Sequence, residues 1–459
     1  MGDAHRELVG GYPTAATIRA AHRDTLLTRA VTAYRFFYPT VSGAALLRGN
    51  EAAGLVDNRV FGVRENRPHH VGFTHDSDMP YGSVQLDLRD GPFVVELPSA
   101  PLAVVAIDAN QRWVADMGLP GPDAGKGGKH LILPPDYHGE VPGGHHIWHA
   151  TTFRLLAIAR ALPVDGDMEG ASALIRSLVV RPLSRSGEWV EPRWLDLTTT
   201  PYDTTPLHLE TDIGFWRVLH AVVDAEPPLE AYREYYGELA ALGIERGKPF
   251  EPDEELHAIL DEAARIGHVQ LCVQSFADRR PDRVVWSDRR WEWVGLRPEN
   301  GDFDADAHAD LVARDVWFYQ STGASPALFR RQPGAGSLCW LGTRDADGDY
   351  LDGSRHYRLA VLLPVPAARF WSVTVYDAET RSQIQTDTDH AALRSHFELR
   401  ASSGRVVALH VGPDTPGEDG VPWIKTIPGR GWFAYFRVHG PEQGAFDGSW
   451  SPGDFERLQ

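Results

Sequence analysis

Phe370-Trp-Ser-Val-Thr-Val-Tyr376, Val406-Val-Ala-Leu-His-Val411 and Trp432-Phe-Ala-Tyr-Phe-Arg-Val438 are the three runs on which the fold is decided. All are rich in β-branched and aromatic residues, which suit a pleated, half-buried surface, and turns of Gly, Pro and Asp separate them. Residues 357–363 and the short run 397–399 have the same character. About six strands at this spacing, from Ser337 onward, predict an antiparallel sandwich or jelly roll.

Outward from there the pattern changes twice. Residues 60–160 hold short apolar runs punctuated by Gly and Pro, such as Gly91-Pro-Phe-Val-Val-Glu-Leu-Pro98 and Leu102-Ala-Val-Val-Ala-Ile-Asp108, and predict a second β domain. Between the two, helical periodicity recurs at 168–179, 212–225, 230–242, 254–266 and 306–319, with strands expected around 284–293. At the start of the chain Leu26, Leu27, Ala30, Val31, Tyr34 and Phe37 form one helical stripe. The expected organisation is an N-terminal helix over 1–45, a β domain over 46–163, a mainly helical region over 164–330 and a C-terminal sandwich over 331–459.

Composition narrows the function classes. The formal charge of −18 opposes a nucleic-acid partner, because phosphate recognition depends on counterion release by Lys and Arg. No run of 18 uncharged apolar residues occurs, so no membrane partner is expected. The N-terminus lacks a basic start followed by an apolar stretch, and Cys272 and Cys339 each sit inside apolar runs as small core residues. A cytoplasmic setting follows as the expectation, with a homo-oligomer left open.

Several sequence stretches resemble known families. Asp345-Ala-Asp-Gly-Asp-Tyr-Leu-Asp-Gly353, His356-Tyr-Arg-Leu359, Phe370 to Asp377, Trp423-Ile-Lys-Thr-Ile-Pro-Gly429, Gly431-Trp-Phe433 and Trp450-Ser-Pro-Gly-Asp454 resemble the domain of unknown function 1214, over roughly residues 330 to 457. Asp78-Met-Pro-Tyr81, Leu86-Asp-Leu88, the run Gly91 to Pro98 and Ile158-Ala-Arg160 resemble its companion, the domain of unknown function 1254, and Gly243-Ile-Glu-Arg-Gly-Lys-Pro-Phe250 resembles the linker between them. The resemblance implies a mostly β, multi-domain chain: an N-terminal β-sandwich, a helical middle and a jelly-roll-like C-terminal domain. It implies no activity. Where that family usually carries Asn-x-Asp-Thr-x-Tyr, this chain reads Asp76-Ser-Asp-Met-Pro-Tyr81, with Asp for Asn and Met for Thr.

Asp76 and Asp78 are the first candidates for chemistry. On an extended segment they would share a face about 7 Å apart, and neighbouring carboxylates split their pKa values into an acid and a base. The other reading is a turn before Pro80 closed by side-chain to backbone bonds. Tyr81 is a candidate proton donor or orienting group. Arg160 lies in the apolar run 155–162, where a permanent charge requires a partner, either a carboxylate such as Asp87 or an anionic ligand.

A second set is aromatic and basic. Trp371 and Trp432 could stack on a ligand while Lys425 and Arg430, flanking Pro428-Gly429, hold an anionic group; core packing accounts for Trp371 equally well. His145, His149 and His75 lack the carboxylate-bearing motif of a known metal site, and Asp345, Asp347, Asp349 and Asp352 have calcium-loop spacing without the glutamate at the twelfth place. No metal or cofactor is assigned. Gly-x-Ser-x-Gly and Gly-x-Gly-x-x-Gly are absent, and Gly125-Lys-Gly-Gly-Lys129 is followed by His130 where a phosphate loop needs Ser or Thr. The expectation is a cofactor-independent enzyme of hydrolase or lyase type, acting on a small organic molecule in an interdomain cleft. The alternative is a carbohydrate or small-ligand binding protein without catalysis.

Overall fold

The computed structural model describes residues 7–458 apart from 185–188, 299, 335, 403 and 418–419. Two β-sandwiches flank a helical body. In the N-terminal sandwich, a six-stranded sheet runs in the spatial order Arg193–Asp196, Val60–Glu65, Pro80–Asp87, Arg154–Ala161, Leu102–Asp108 and Trp113–Gly118. A four-stranded sheet of His146–His149, Gly128–Leu133, Phe93–Leu97 and Val179–Pro182 covers it. Strands 179–182 and 193–196 lie beyond the boundary expected at residue 163. They are too short and too polar to reveal themselves by periodicity, and their strand character comes from pairing with 93–97 and 60–65.

The C-terminal sandwich pairs a five-stranded sheet, in the order Glu292–Trp293, Ser337–Gly342, Trp432–Pro441, Ala367–Asp377 and Ala392–Arg394, with a four-stranded sheet of Trp423–Lys425, Val406–Gly412, Tyr357–Leu362 and Phe455–Arg457. One expected strand is displaced. Residues 397–399 form a turn in which Glu398 accepts from the Arg394 backbone N–H at 2.9 Å, while the edge strand is 392–394. Side-chain capture of a free backbone donor competes with the ladder there.

The helical body contains α1 (Ala15–Ala52), α3 (Ile213–Ala225), α4 (Arg233–Ala241), α5 (Glu254–Ala277) and α6 (Leu311–Gln320), while α2 (Met168–Arg176) packs on the N-terminal sandwich and α7 (Pro326–Phe329) links α6 to the C-terminal one. Helix α1 runs past the boundary expected at residue 45 and takes Pro39 into its interior. A proline removes one ladder N–H, but the surrounding turn of Phe36, Phe37, Tyr38 and Val41 is fully packed, and Gln111 donates to the Pro39 carbonyl at 2.9 Å. At Gly49 a Cβ would fall 2.1 Å from the Asp203 carbonyl, so only glycine lets α1 lie this close to the first domain. No helix among the described residues is long and apolar enough to cross a membrane.

Strand parity fixes where chemistry can sit. In the five-stranded sheet Leu338, Trp340, Trp371, Val373, Val375, Ala434, Phe436 and Val438 face the C-terminal core. The alternate residues, Cys339, Phe370, Ser372, Thr374, Tyr376, Tyr435, Arg437 and His439, face the other way. That second face is not solvated: every residue of strand 432–441 is buried. Leu341, Tyr376, Phe433 and Tyr435 pack into the helical core, and Phe370 packs with Met79 and Tyr81 of the first domain. A polar sheet face is thus enclosed between domains.

Candidate functional site

The first domain presents the matching face. Side chains of Tyr81 and Ser83 project away from their sandwich core, and register places Arg64 and Arg160 on either side of Tyr81. Their guanidinium carbons lie 5.8 Å and 4.6 Å from its ring. Between the faces runs the segment from Gly72 to Met79. Gly72 lets the His75 ring lie against the backbone, since a Cβ there would meet the ring at 2.1 Å. Thr74, β-branched, adopts φ +44°, a left-handed conformation that costs about 1–3 kcal/mol and survives only where surroundings over-determine it. Its N–H donates to the Arg381 carbonyl at 2.8 Å, its hydroxyl to the Gln320 carbonyl at 2.7 Å, and its own carbonyl accepts from Arg437 at 2.8 Å.

The two aspartates do not share a face. The Asp76 carboxylate accepts the Asp78 backbone N–H at 3.1 Å, the turn closure expected as the alternative, and this sends the side chains in different directions. Asp76 accepts the Tyr81 hydroxyl at 2.6 Å and lies 3.9 Å from the Arg437 guanidinium. Asp78, with no exposed surface, accepts from Ser372 at 2.8 Å and sits 3.1 Å from His439 Nε2. Burial alone would raise its pKa, but the His439 bond and charge, with Arg437 and Ser372, bring it down to about 2.

Asp76, Tyr81, Arg160, Cys339 and Arg437 line one cavity of about 90 Å³. Arg160 and Tyr81 also line a smaller one with Arg64 and His75, of about 60 Å³. Arg160 and His439 line a third, of about 330 Å³. Arg160 is thus common to all three. It has no carboxylate ion pair among the described residues: Asp87, the expected partner, pairs with Arg89, and the Arg160 guanidinium lies over the Tyr81 ring. Burial, opposed by Arg160 and reinforced by Asp76, holds the Tyr81 phenol well above its ordinary value, so it stays a hydrogen donor. Burial likewise lowers the His75 pKa and raises that of the Cys339 thiol. Thiolate chemistry at Cys339 is disfavoured.

Of the expected site residues, then, the structure brings Asp76, Tyr81 and Arg160 to one cavity and puts Asp78 behind them. The aromatic and basic set is dispersed, which corrects the expectation of a recognition face. Trp371 is core, stacked on Phe436 at 5.4 Å, and Trp432 is 2% exposed between Tyr357 and Phe455. Both have the parity that points into the sandwich. Lys425 is tied to Asp387 at 2.7 Å, and Arg430 to Asp377 and Glu379 at 2.9 and 3.0 Å.

Asp345 closes a turn by accepting the N–H groups of Asp347 and Asp349 at 3.1 and 3.0 Å, and it pairs with Arg457. His145 and His149 lie at the edge of the four-stranded sheet, and among the described residues no three His, Cys, Asp or Glu side chains are grouped to hold a metal. Sequence reading missed Arg437 and His439. The available signal was a pair of polar residues at alternate positions inside an otherwise apolar run.

A family model described as a protein of unknown function (DUF1254) matches residues 61–182, and one described as a protein of unknown function (DUF1214) matches 336–443. No curated protein matches the chain. Among solved structures, the VPA0106 protein from Vibrio parahaemolyticus is similar at a TM-score of 0.56 and 16% identity, covering 95% of this chain and 100% of its own. A putative uncharacterized protein from Burkholderia cenocepacia aligns at a TM-score of 0.43 and 12% identity, over 96% of each chain. The VPA0106 likeness is one of fold. With its sandwiches in this order around a helical body, the chain belongs to the proteins that join an N-terminal DUF1254 domain to a C-terminal DUF1214 domain.

Proposed function

We propose that the protein is a cofactor-independent enzyme of hydrolase or lyase type, acting on a small organic molecule in the cavity between its two sandwiches. The observation that carries this reading is the Tyr81 to Asp76 hydrogen bond of 2.6 Å in a cavity that also holds the unpaired Arg160. Asp76 would serve as base, taking a proton from substrate carbon or from an attacking water and returning it to the leaving group. Tyr81, kept protonated, would turn its O–H from Asp76 to the developing oxyanion. Arg160 would anchor an anionic group, and Asp78 would set His439 and Ser372 in place without touching substrate. A cytoplasmic setting belongs to this reading, supported by two cysteines that are both free thiols.

Incubation with a panel of small acids, esters and hydroxy acids, followed by mass spectrometry, tests it. The wild type should convert at least one compound. Asp76→Asn should bind that compound but convert it at least a hundredfold more slowly. Binding by the wild type without conversion would replace catalysis by the alternative, a binding protein, and no binding at all would remove the site.

A further inference from the structure

The ligand class can be read from the largest of the three cavities that share Arg160. Its floor is apolar: Met79, Val105, Ile158 and Leu162 supply hydrocarbon surface. Its charged side chains are all cationic, Arg160 inside and the exposed Arg330 and Arg369 towards the mouth, and no carboxylate lines it among the described residues. In a chain of net charge −18 that separation is unusual. Arg330 has the Asp116 carboxylate near enough to feel its charge and Arg369 is exposed, whereas Arg160 is half-buried with no ion pair to a described residue. A half-buried, unpaired guanidinium beside hydrocarbon is costly unless an anion completes it.

His439 adds a fourth polar group. Its Nε2 is held by Asp78 at 3.1 Å and its ring packs, tilted by 35°, against Phe370 at 4.3 Å, so the imidazole is fixed in orientation at the cavity wall. The volume of about 330 Å³ is at the lower end of the range for small-molecule sites.

We propose that this cavity takes a monocarboxylate with an apolar body: the carboxylate sits on Arg160, and the hydrocarbon lies along Ile158 and Leu162. This rests on the reading of Arg160 as anchor and adds the substrate class to it. The carboxylate matches the planar fork of a guanidinium, and the apolar remainder gains about 25 cal/mol for each Å² removed from water. Affinity should therefore rise with hydrocarbon length until the cavity is full.

Calorimetric titration with acetate, butyrate, hexanoate, octanoate and phenylacetate, each beside its matching alcohol, tests the inference. For the wild type, affinity for the acids should rise at least threefold per added pair of methylenes, and each alcohol should bind at least tenfold more weakly than its acid. Arg160→Met should erase the preference for acid while keeping the length dependence. Exposed Arg369→Ala, which cannot disturb folding through a lost partner, should weaken acid binding a few-fold. Ile158→Trp should abolish binding of the long acids with a normal melting temperature. Equal affinity for acids and alcohols, or no dependence on length, would overturn the proposal. Acids that bind as predicted but are never converted would refute catalysis and leave the ligand class standing.

Discussion

Asp76 and Asp78 are two residues apart and are held for opposite purposes. One closes a turn and keeps a carboxylate oxygen on Tyr81 at a cavity wall; the other is sealed between domains on Ser372 and His439. The difference yields a pH prediction. Asp78 is held near 2 when folded against an ordinary 3.8. Between those values the unfolded chain binds a proton that the folded chain refuses, so stability rises with pH across that interval. The stability this pairing contributes is complete above about pH 4 and is lost as pH falls towards 2. Urea midpoints of the wild type should drop steeply there. Asp78→Asn, lower by roughly 3 kcal/mol near neutral pH for breaking a buried pair, should show a shallower drop, so that the gap between the two narrows towards pH 2. An unchanged acid slope would mean that Asp78 is not the group protonated.

At the scale of elements, strand parity explains both what the sequence revealed and what it hid. The runs 370–376, 406–411 and 432–438 were legible as strands because their β-branched and aromatic content is dense. Which face each side chain takes was not legible, since both faces of strand 432–441 are buried and no hydrophobic alternation marks the core side. Consequently Trp432 read as ligand-facing and Trp371 stayed open between ligand and core, when both are core. Truncating either to alanine should cost about 3–5 kcal/mol through the cavity it leaves, measurable as a fall in denaturation midpoint. Ligand affinity of the fraction still folded should be unchanged; a selective loss of binding at full stability would restore the aromatic-face reading. The segment from Asp76 to Tyr81 was legible as a motif, but its partners Arg437 and His439, more than 350 residues away, become neighbours only through the fold.

At the scale of the whole molecule, one buried cluster ties the three bodies together. Arg381, fully buried, donates to both Glu210 oxygens at 2.7 and 2.9 Å, to Tyr38 of α1 at 3.2 Å and to the carbonyl of Tyr319 in α6 at 3.2 Å. Its backbone carbonyl also accepts from Thr74, so the arginine that locks the C-terminal sandwich to the helical body supports the strained segment beside the cavity. Arg381→Met should cost roughly 3–5 kcal/mol by stranding Glu210, and adding Glu210→Gln should recover part of that loss. Chemical denaturation of the two variants checks this; additive losses would mean the pair is not coupled. Such a lock would hold Asp76, Tyr81 and Arg160 in register with Arg437 and Cys339 across the domain boundary.

The most direct test of that interdomain site is a crystal of the protein soaked with phenylacetate. Its carboxylate should lie within hydrogen-bonding distance of Arg160, with the ring against Ile158 and Leu162. Density instead on the loop of Trp423, Lys425 and Arg430, with the interdomain cavity filled only by solvent, would contradict it.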